Sequence, residues 1–267
     1  MSSYRIAPSP VTRWLILSVV GVFLATPLVA LLFFTMRGGL EGGLTLSHWA
    51  SAFSGDLGAA QKPLMEGIVN SLVLSGATVA IMLALLVPTM VLVRLHLPRW
   101  EKVIEFISLL PLTLPAVALV VGFAPLYRVV AQIFGSDTWT LAFAYVVLVL
   151  PYAYRAIASN LSAVDVRTLS QAARSLGASW PAVMWFILLP NLRRGLISAS
   201  FISVAAVLGE FTLASLLSRT NLQTALVLVA KQDPYLSNIV VVIALALTLV
   251  LLFLIGRMGS YTRRSAS

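Results

Sequence analysis

Six long apolar runs alternate along the chain with short polar or glycine-rich stretches. Each run is near the roughly 20 residues that a helix needs to cross a hydrocarbon core about 30 Å thick. They fall at approximately 14–34, 68–94, 103–127, 139–159, 195–218 and 236–256. The third is interrupted by Pro111, Pro115 and Pro125. A membrane tolerates such prolines only where neighbouring helices, side chains or water satisfy the freed carbonyls, so this helix is expected inside a bundle. The first run follows Arg5 and Arg13, as a signal peptide's apolar region would, but spans 21 residues and has no A-x-A-like site after it. It reads as a retained transmembrane helix.

Composition agrees with the pattern. Of 267 residues, 60% are hydrophobic and 10% charged, and the mean hydropathy is +0.98, far from a soluble globular domain. The net charge of +9 comes from scattered basic clusters, which fits membrane topology better than nucleic-acid binding. With the amino terminus in the cytoplasm, Arg5, Arg13, Arg94, Arg99, Lys102, Arg155, Arg167, Arg174, Arg193, Arg194, Arg257, Arg263 and Arg264 fall inside. Arg37, Lys62, Arg128, Arg219 and Lys231 fall outside. Thirteen against five places both ends in the cytoplasm. The organisation expected is a cytoplasmic tail at 1–13, one transmembrane domain at 14–256 and a second tail at 257–267. An external loop at 35–67 and a long cytoplasmic loop at 160–194 connect the helices.

The chemistry of an enzyme is missing from the sequence. There is no cysteine, the two histidines, His48 and His96, lie in loops outside any H-E-x-x-H arrangement, and there is no G-x-S-x-G. None of the three lysines follows a phosphate-cradling glycine loop, so no P-loop is present and any ATP used must be hydrolysed by another subunit. No cofactor or metal is expected on this chain. Small residues four apart recur at Gly76, Ala80 and Ala84 in the second run and at Gly195, Ala199 and Ser203 in the fifth, a spacing that lets helices approach closely. Glu210 is the one acidic residue expected deep in a membrane segment. A charge at mid-bilayer costs about 2.5 to 3.5 kcal/mol on insertion scales, so it should face a path for solute or a partner inside the protein. Tyr145, Tyr152 and Tyr154 are candidates to line that path or to sit at the lipid headgroups.

One cytoplasmic stretch differs from its surroundings: QAARSLGASWPAVMWFILLP, Gln171 to Pro190. Leu169, Ala172, Ala173 and Leu176 fall at i, i+3, i+4 and i+7, an apolar stripe on a short helix. Gly177 suits the left-handed end of that helix, and Ser179 is placed to cap a second, with Trp180 and Pro181 in its first turn. Two short helices joined at a glycine bend are expected. They either pack on their own bundle or enter a groove on a partner, for which the small alanines keep the first helix slim.

This stretch resembles the EAA loop of permease subunits of type I ATP-binding-cassette importers. That pattern runs E-A-A, three residues, G, nine residues, I, one residue, L-P. Here Ala172, Ala173, Gly177, Ile187, Leu189 and Pro190 match with every spacing kept, while the family's glutamate is Gln171. The stretches LPYAYRAIASNLSAVD, SLLPLTLPAVALVVGF and VLGEFTLASLL resemble permeases of the spermidine/putrescine, 2-aminoethylphosphonate and ferric-iron importer group. The resemblance runs from the second helix to the sixth.

The resemblance implies an all-α integral membrane fold of six transmembrane helices, with a cytoplasmic coupling helix between helices 4 and 5. It implies a bacterial inner-membrane subunit that forms half of a translocation path with a second, paralogous permease. Two cytoplasmic ATPase subunits would carry ATP and Mg, and an external binding protein would deliver a small solute, a polyamine or related amine by best match. Leu169, Gln171, Ala172, Ala173, Arg174, Leu176, Gly177, Ser179 and Pro190 would couple to the ATPase, with Arg155 anchoring the end of the fourth helix, and Glu210 and Tyr145 would line the path. The competing classes are an ion-gradient-driven transporter, which would favour internal repeats and several intramembrane ionisable groups, a membrane enzyme, and a scaffold.

Overall fold

The computed structural model describes residues 9–39, 42–55 and 57–264, with side chains described as far as Val250. Arg5 and the last three residues, which belong to the two expected tails, lie outside them. Among the described residues the chain is helical, with only an isolated antiparallel bridge from Arg37 to Leu44. The helices are α1 (Pro10–Thr35), α2 (Ser47–Ser54), α3 (Gln61–His96), α4 (Glu101–Leu109), α5 (Ala116–Phe134), α6 (Ala142–Ala163), α7 (Val166–Ser175), α8 (Trp180–Ala182), α9 (Leu189–Leu208), α10 (Thr212–Leu216), α11 (Leu222–Ala230) and α12 (Pro234–Arg264). Five helical stretches are long and apolar enough to cross a membrane: Pro10–Thr35, Gly58–His96, Ala116–Phe134, Thr138–Ala163 and Trp180–Leu208. The apolar part of α12, Pro234–Val250, supplies the sixth run expected from the sequence.

Two of the six runs are cut differently from the expectation. The third, at 103–127, is not one helix: α4 stops at Leu109, a 3₁₀ turn covers Leu110–Thr113, and the spanning helix starts at Ala116. Leu114 sits before a proline and is driven to extended backbone (ψ 131°), and Pro115 offers no N–H to continue the ladder. The fifth, at 195–218, begins earlier and ends earlier. Its helix runs from Trp180 through a π-helical stretch at Val183–Leu188 to Leu208, and Gly209 to Phe211 break it before α10. Pro190 explains the π stretch, because it removes the N–H that would bond to the Phe186 carbonyl and its ring crowds the preceding turn. The Asn191 side-chain amide donates to the Ile187 carbonyl at 2.7 Å, satisfying another group there.

The described residues fall into two compact units, one drawn from Met1–Lys62 and Val227–Ser267 and the other from Pro63–Leu226. In the first, α1 and α2 pack on α12. Ser9 caps α1 by accepting from the Thr12 N–H, with Pro10 in the tolerant first turn. Nearly every side chain of α1 is exposed, as lipid tails permit. The Tyr235 ring stacks with both Phe34 (5.2 Å) and His48 (4.1 Å), and the Trp49 indole donates to the Thr35 hydroxyl at 3.0 Å.

The second unit is built around α6, whose main partner is α9. Gly195, Ala199 and Ser203 are buried in that seam, where a side chain at Gly195 would put its Cβ 2.7 Å from Asn160 Cβ. With no water to drive helices together in lipid, such close backbone approach is what holds the pair. The other small-residue stripe has a different fate: Gly76, Ala80 and Ala84 are exposed, and nothing lies within 4 Å of a Cβ at Gly76. The Tyr127 hydroxyl donates to the Thr140 carbonyl (3.1 Å) and accepts from the Ala144 N–H (3.0 Å), tying α5 to the start of α6.

Candidate functional site

The loop after α6 turns sharply into α7. Asp165 caps the helix, one carboxylate oxygen accepting from the Thr168 N–H at 3.1 Å and the other from its hydroxyl at 2.7 Å. Those bonds, the hydroxyl first, hold the Asp165 carboxyl below the usual carboxylate range. Val166, Ser170 and Ala173 are buried and Leu169 packs partly against the core. Gln171, Ala172, Arg174, Ser175, Leu176 and Gly177 are exposed.

The single stripe expected at Leu169, Ala172, Ala173 and Leu176 is therefore divided. The inward face is Val166, Leu169, Ser170 and Ala173, turned by roughly 60° about the helix axis from the expected one. Ser170 fits there because its hydroxyl bonds back to the Val166 carbonyl at 2.6 Å. Leu176, 89% exposed, instead tops an outward face with Gln171, Ala172 and Ser175.

The helix ends in a Schellman turn. Gly177 has φ +86°, its N–H bonds to the Arg174 carbonyl at 3.0 Å, and the Ala178 N–H bonds to the Ala173 carbonyl at 3.1 Å. Arg174 reinforces this turn, donating to the Ala178 carbonyl at 2.8 Å and standing 5.6 Å over the Trp180 ring, against which His96 also packs at 5.4 Å. Ser179 caps the next segment through the Ala182 N–H. The expected second short helix is instead the start of the long run to Leu208, so the bend at Gly177 joins α7 to a spanning helix. Asp165 and Thr168 are not among the residues the sequence points to, and nothing local places Trp180 and His96 against Arg174 and each other. Only the D-x-x-T cap pattern carried a readable signal.

Glu210 sits in the break after α9. The Tyr145 hydroxyl donates to its Oε2 at 2.6 Å and the Leu213 N–H to its Oε1 at 2.9 Å, so both carboxylate oxygens accept from the chain's own groups. The Asn221 amide donates to the Glu210 carbonyl at 2.7 Å and lies 3.4 Å from the Tyr145 oxygen, while Gln223 donates to the Leu208 carbonyl at 2.9 Å. Tyr145 and Asn221 are fully buried. The backbone groups freed by the break are thus met inside the protein, the condition for irregular backbone at membrane depth. Tyr145 and Glu210, paired only as candidates in the sequence, are in direct contact here, whereas Tyr152 is exposed.

Glu210→Ala is expected to leave the Tyr145 hydroxyl and the Leu213 N–H without an acceptor, at about 1–3 kcal/mol for each buried group. Glu210→Gln keeps an acceptor and should lose much less. Thermal denaturation of the purified variants reads this, and an alanine variant that melts with the wild type would remove the carboxylate from the support of the break.

An all-α, multi-pass membrane protein with a helix bent out between two spanning helices describes a class of transport subunit. The chain belongs to the family described as binding-protein-dependent transport system inner membrane component, whose model matches residues 76–260, and so to the permease subunits of type I ATP-binding-cassette importers. The matched segment contains α7, Tyr145 and Glu210. The chain is also 30% identical over 187 residues to a probable ABC transporter permease protein, y4fN, of Sinorhizobium fredii (strain NBRC 101917 / NGR234), a match that takes in 68% of this chain and 32% of that protein. The chain thus spans about a third of the length of this curated relative.

Proposed function

We propose that this chain is half of the translocation path of an ATP-driven importer in a bacterial inner membrane, with both termini cytoplasmic. The observation that carries the reading is the outward face of α7, a capped helix held at a fixed bend by Gly177 and presenting Gln171, Ala172, Ser175 and Leu176. Such a face fits a groove on a partner, and the partner is one of two cytoplasmic ATPase subunits that bind ATP and Mg. Gln171 carries no charge to pair with the ATPase, so shape and the exposed Leu176 side chain make this contact. A second permease, paralogous to this chain, completes the path. The relative's extra length leaves room for a second helical unit of this kind, which supports that reading. An external binding protein delivers an amine-bearing solute, a polyamine or related compound, with a phosphonate or ferric iron as the alternatives. Tyr145 and Glu210 stand beside the path and keep the α9 break in shape as the helices rock.

Affinity capture of the tagged chain from its native membrane, followed by mass spectrometry, tests this. An ATPase, a second permease and a binding protein are expected to co-purify, and the ligand on that binding protein would name the solute. Recovery of the chain alone, while a control importer stays intact, would return the gradient-driven reading.

A further inference from the structure

Within the second unit, a polar cavity of about 420 Å³ opens at the end opposite α7. Three segments far apart in sequence form it: the start of α3, the α5–α6 connection and the α10–α11 connection. The Thr220 carbonyl joins them, accepting from the Asn70 amide at 3.0 Å and the Thr138 hydroxyl at 3.1 Å. The wall holds Glu66, Asp137 and Arg219, together with Trp139.

The three charges are not spent on one another. Among the described residues one ion pair is present, Arg94 with Glu101, on other elements. Glu66 and Asp137 are exposed, and Arg219 is half-buried with its Nε shut from solvent and donating to nothing. That N–H is out of a solute's reach, so it is the remaining, part-exposed side of Arg219 that lines the cavity. Ser218, the one non-glycine among the described residues with left-handed backbone (φ +54°), ends α10 so that Arg219 enters the wall. Left-handed backbone away from glycine is itself concentrated at binding sites.

We propose that this cavity binds a small zwitterionic solute, its ammonium group towards Glu66 and Asp137 and its anionic group on Arg219. No simpler class satisfies all three charges. A diamine leaves Arg219 unmet and repelled, a dianion meets two carboxylates, and an uncharged solute leaves every charge desolvated without return. A carboxylate or phosphonate pairs well with the guanidinium group. The volume is in the range of small-ligand pockets. If the importer reading holds, the cavity lies on the external side, where it narrows the amine-bearing solute to one that also carries an anion. The binding claim does not depend on transport.

The test uses the full chain in lipid nanodiscs, together with any subunits that co-purify, and three probes with equal four-carbon backbones: γ-aminobutyrate, putrescine and succinate. Calorimetric titration is expected to show γ-aminobutyrate binding about tenfold or more tighter than either of the others, the size of one charge-assisted contact. Arg219→Gln should erase that preference without weakening putrescine, Arg219→Lys should keep part of it, and Asp137→Asn should weaken both amines. Melting temperatures of the variants separate lost contacts from lost fold. Putrescine binding tighter than γ-aminobutyrate, the absence of saturable binding by any probe, or an Arg219→Gln variant with wild-type affinities overturns the proposal. So does an Arg219→Gln variant that loses only its hold on a binding protein, since the cavity would then be a protein dock. Probe binding as expected without a co-purifying ATPase would instead sink the importer reading and leave the site standing.

Discussion

Gly177→Val is expected to leave the chain folded and in the membrane while lowering ATP-driven uptake by about tenfold or more. The reason lies in the backbone alone. Gly177 holds φ +86°, and a Cβ there would meet nothing within 4 Å, so valine fits in space but not in conformation. Left-handed backbone costs an L-residue roughly 1–2 kcal/mol, and more when it is β-branched. The Schellman turn opens to escape that cost, and its two bonds, to the Arg174 and Ala173 carbonyls, open with it. The angle between α7 and the helix that runs into the membrane then changes, and the face proposed to meet the ATPase is no longer held in place. Each 1.4 kcal/mol corresponds to a tenfold change, which sets the scale of the loss. Asparagine tolerates left-handed backbone, so Gly177→Asn should recover much of the activity. Uptake and ATPase stimulation measured in membranes with equal amounts of inserted protein decide the matter. Unchanged uptake in the valine variant would remove the bend from the proposed coupling.

Gly195→Val acts by the opposite route and should damage the fold itself. A Cβ at this position would stand 2.7 Å from Asn160 Cβ and 3.2 Å from the Ala156 carbonyl oxygen. The second of these is backbone, so α6 and α9 must separate to accept it. Overpacking of this kind costs about 1–3 kcal/mol, and in lipid no hydrophobic force returns the helices to contact. Melting of the purified chain should fall by on the order of 5 °C. Gly76→Val, at an open site on α3, is the control and should melt with the wild type. Equal melting of the two variants would mean that the α6–α9 seam tolerates the separation.

Much of the molecule was legible because the features concerned are local. Apolar runs near bilayer length mark the spanning helices whatever they pack against, since a backbone in lipid must bond to itself. The bend at Gly177 and the cap at Ser179 were readable for the same reason, as each depends on a few neighbouring residues. Other features depend on neighbours that compete. Prolines in the third run announced an interruption, but whether α4 or α5 would form the span was decided at Leu114 and Pro115. Apolar periodicity alone predicts a stripe on α7 without Ser170, yet the inward face includes it because its hydroxyl has a backbone acceptor one turn away.

What the sequence by itself determined is a membrane-embedded helical chain with a short helix bent at Gly177 between two of its spans, because length, hydropathy and left-handed backbone are properties of contiguous residues. Tertiary structure alone decided the rest. Two stripes of small residues carry the same signature, yet Gly195, Ala199 and Ser203 are buried in a helix seam while Gly76, Ala80 and Ala84 face outwards. Glu210 was visible as an intramembrane acid, but its partners Tyr145 and Asn221 come from other elements, and so do the three segments that place Glu66, Asp137 and Arg219 around one cavity. Pairings of this kind depend on which helix faces meet in space, and no short window of sequence contains both sides of such a contact.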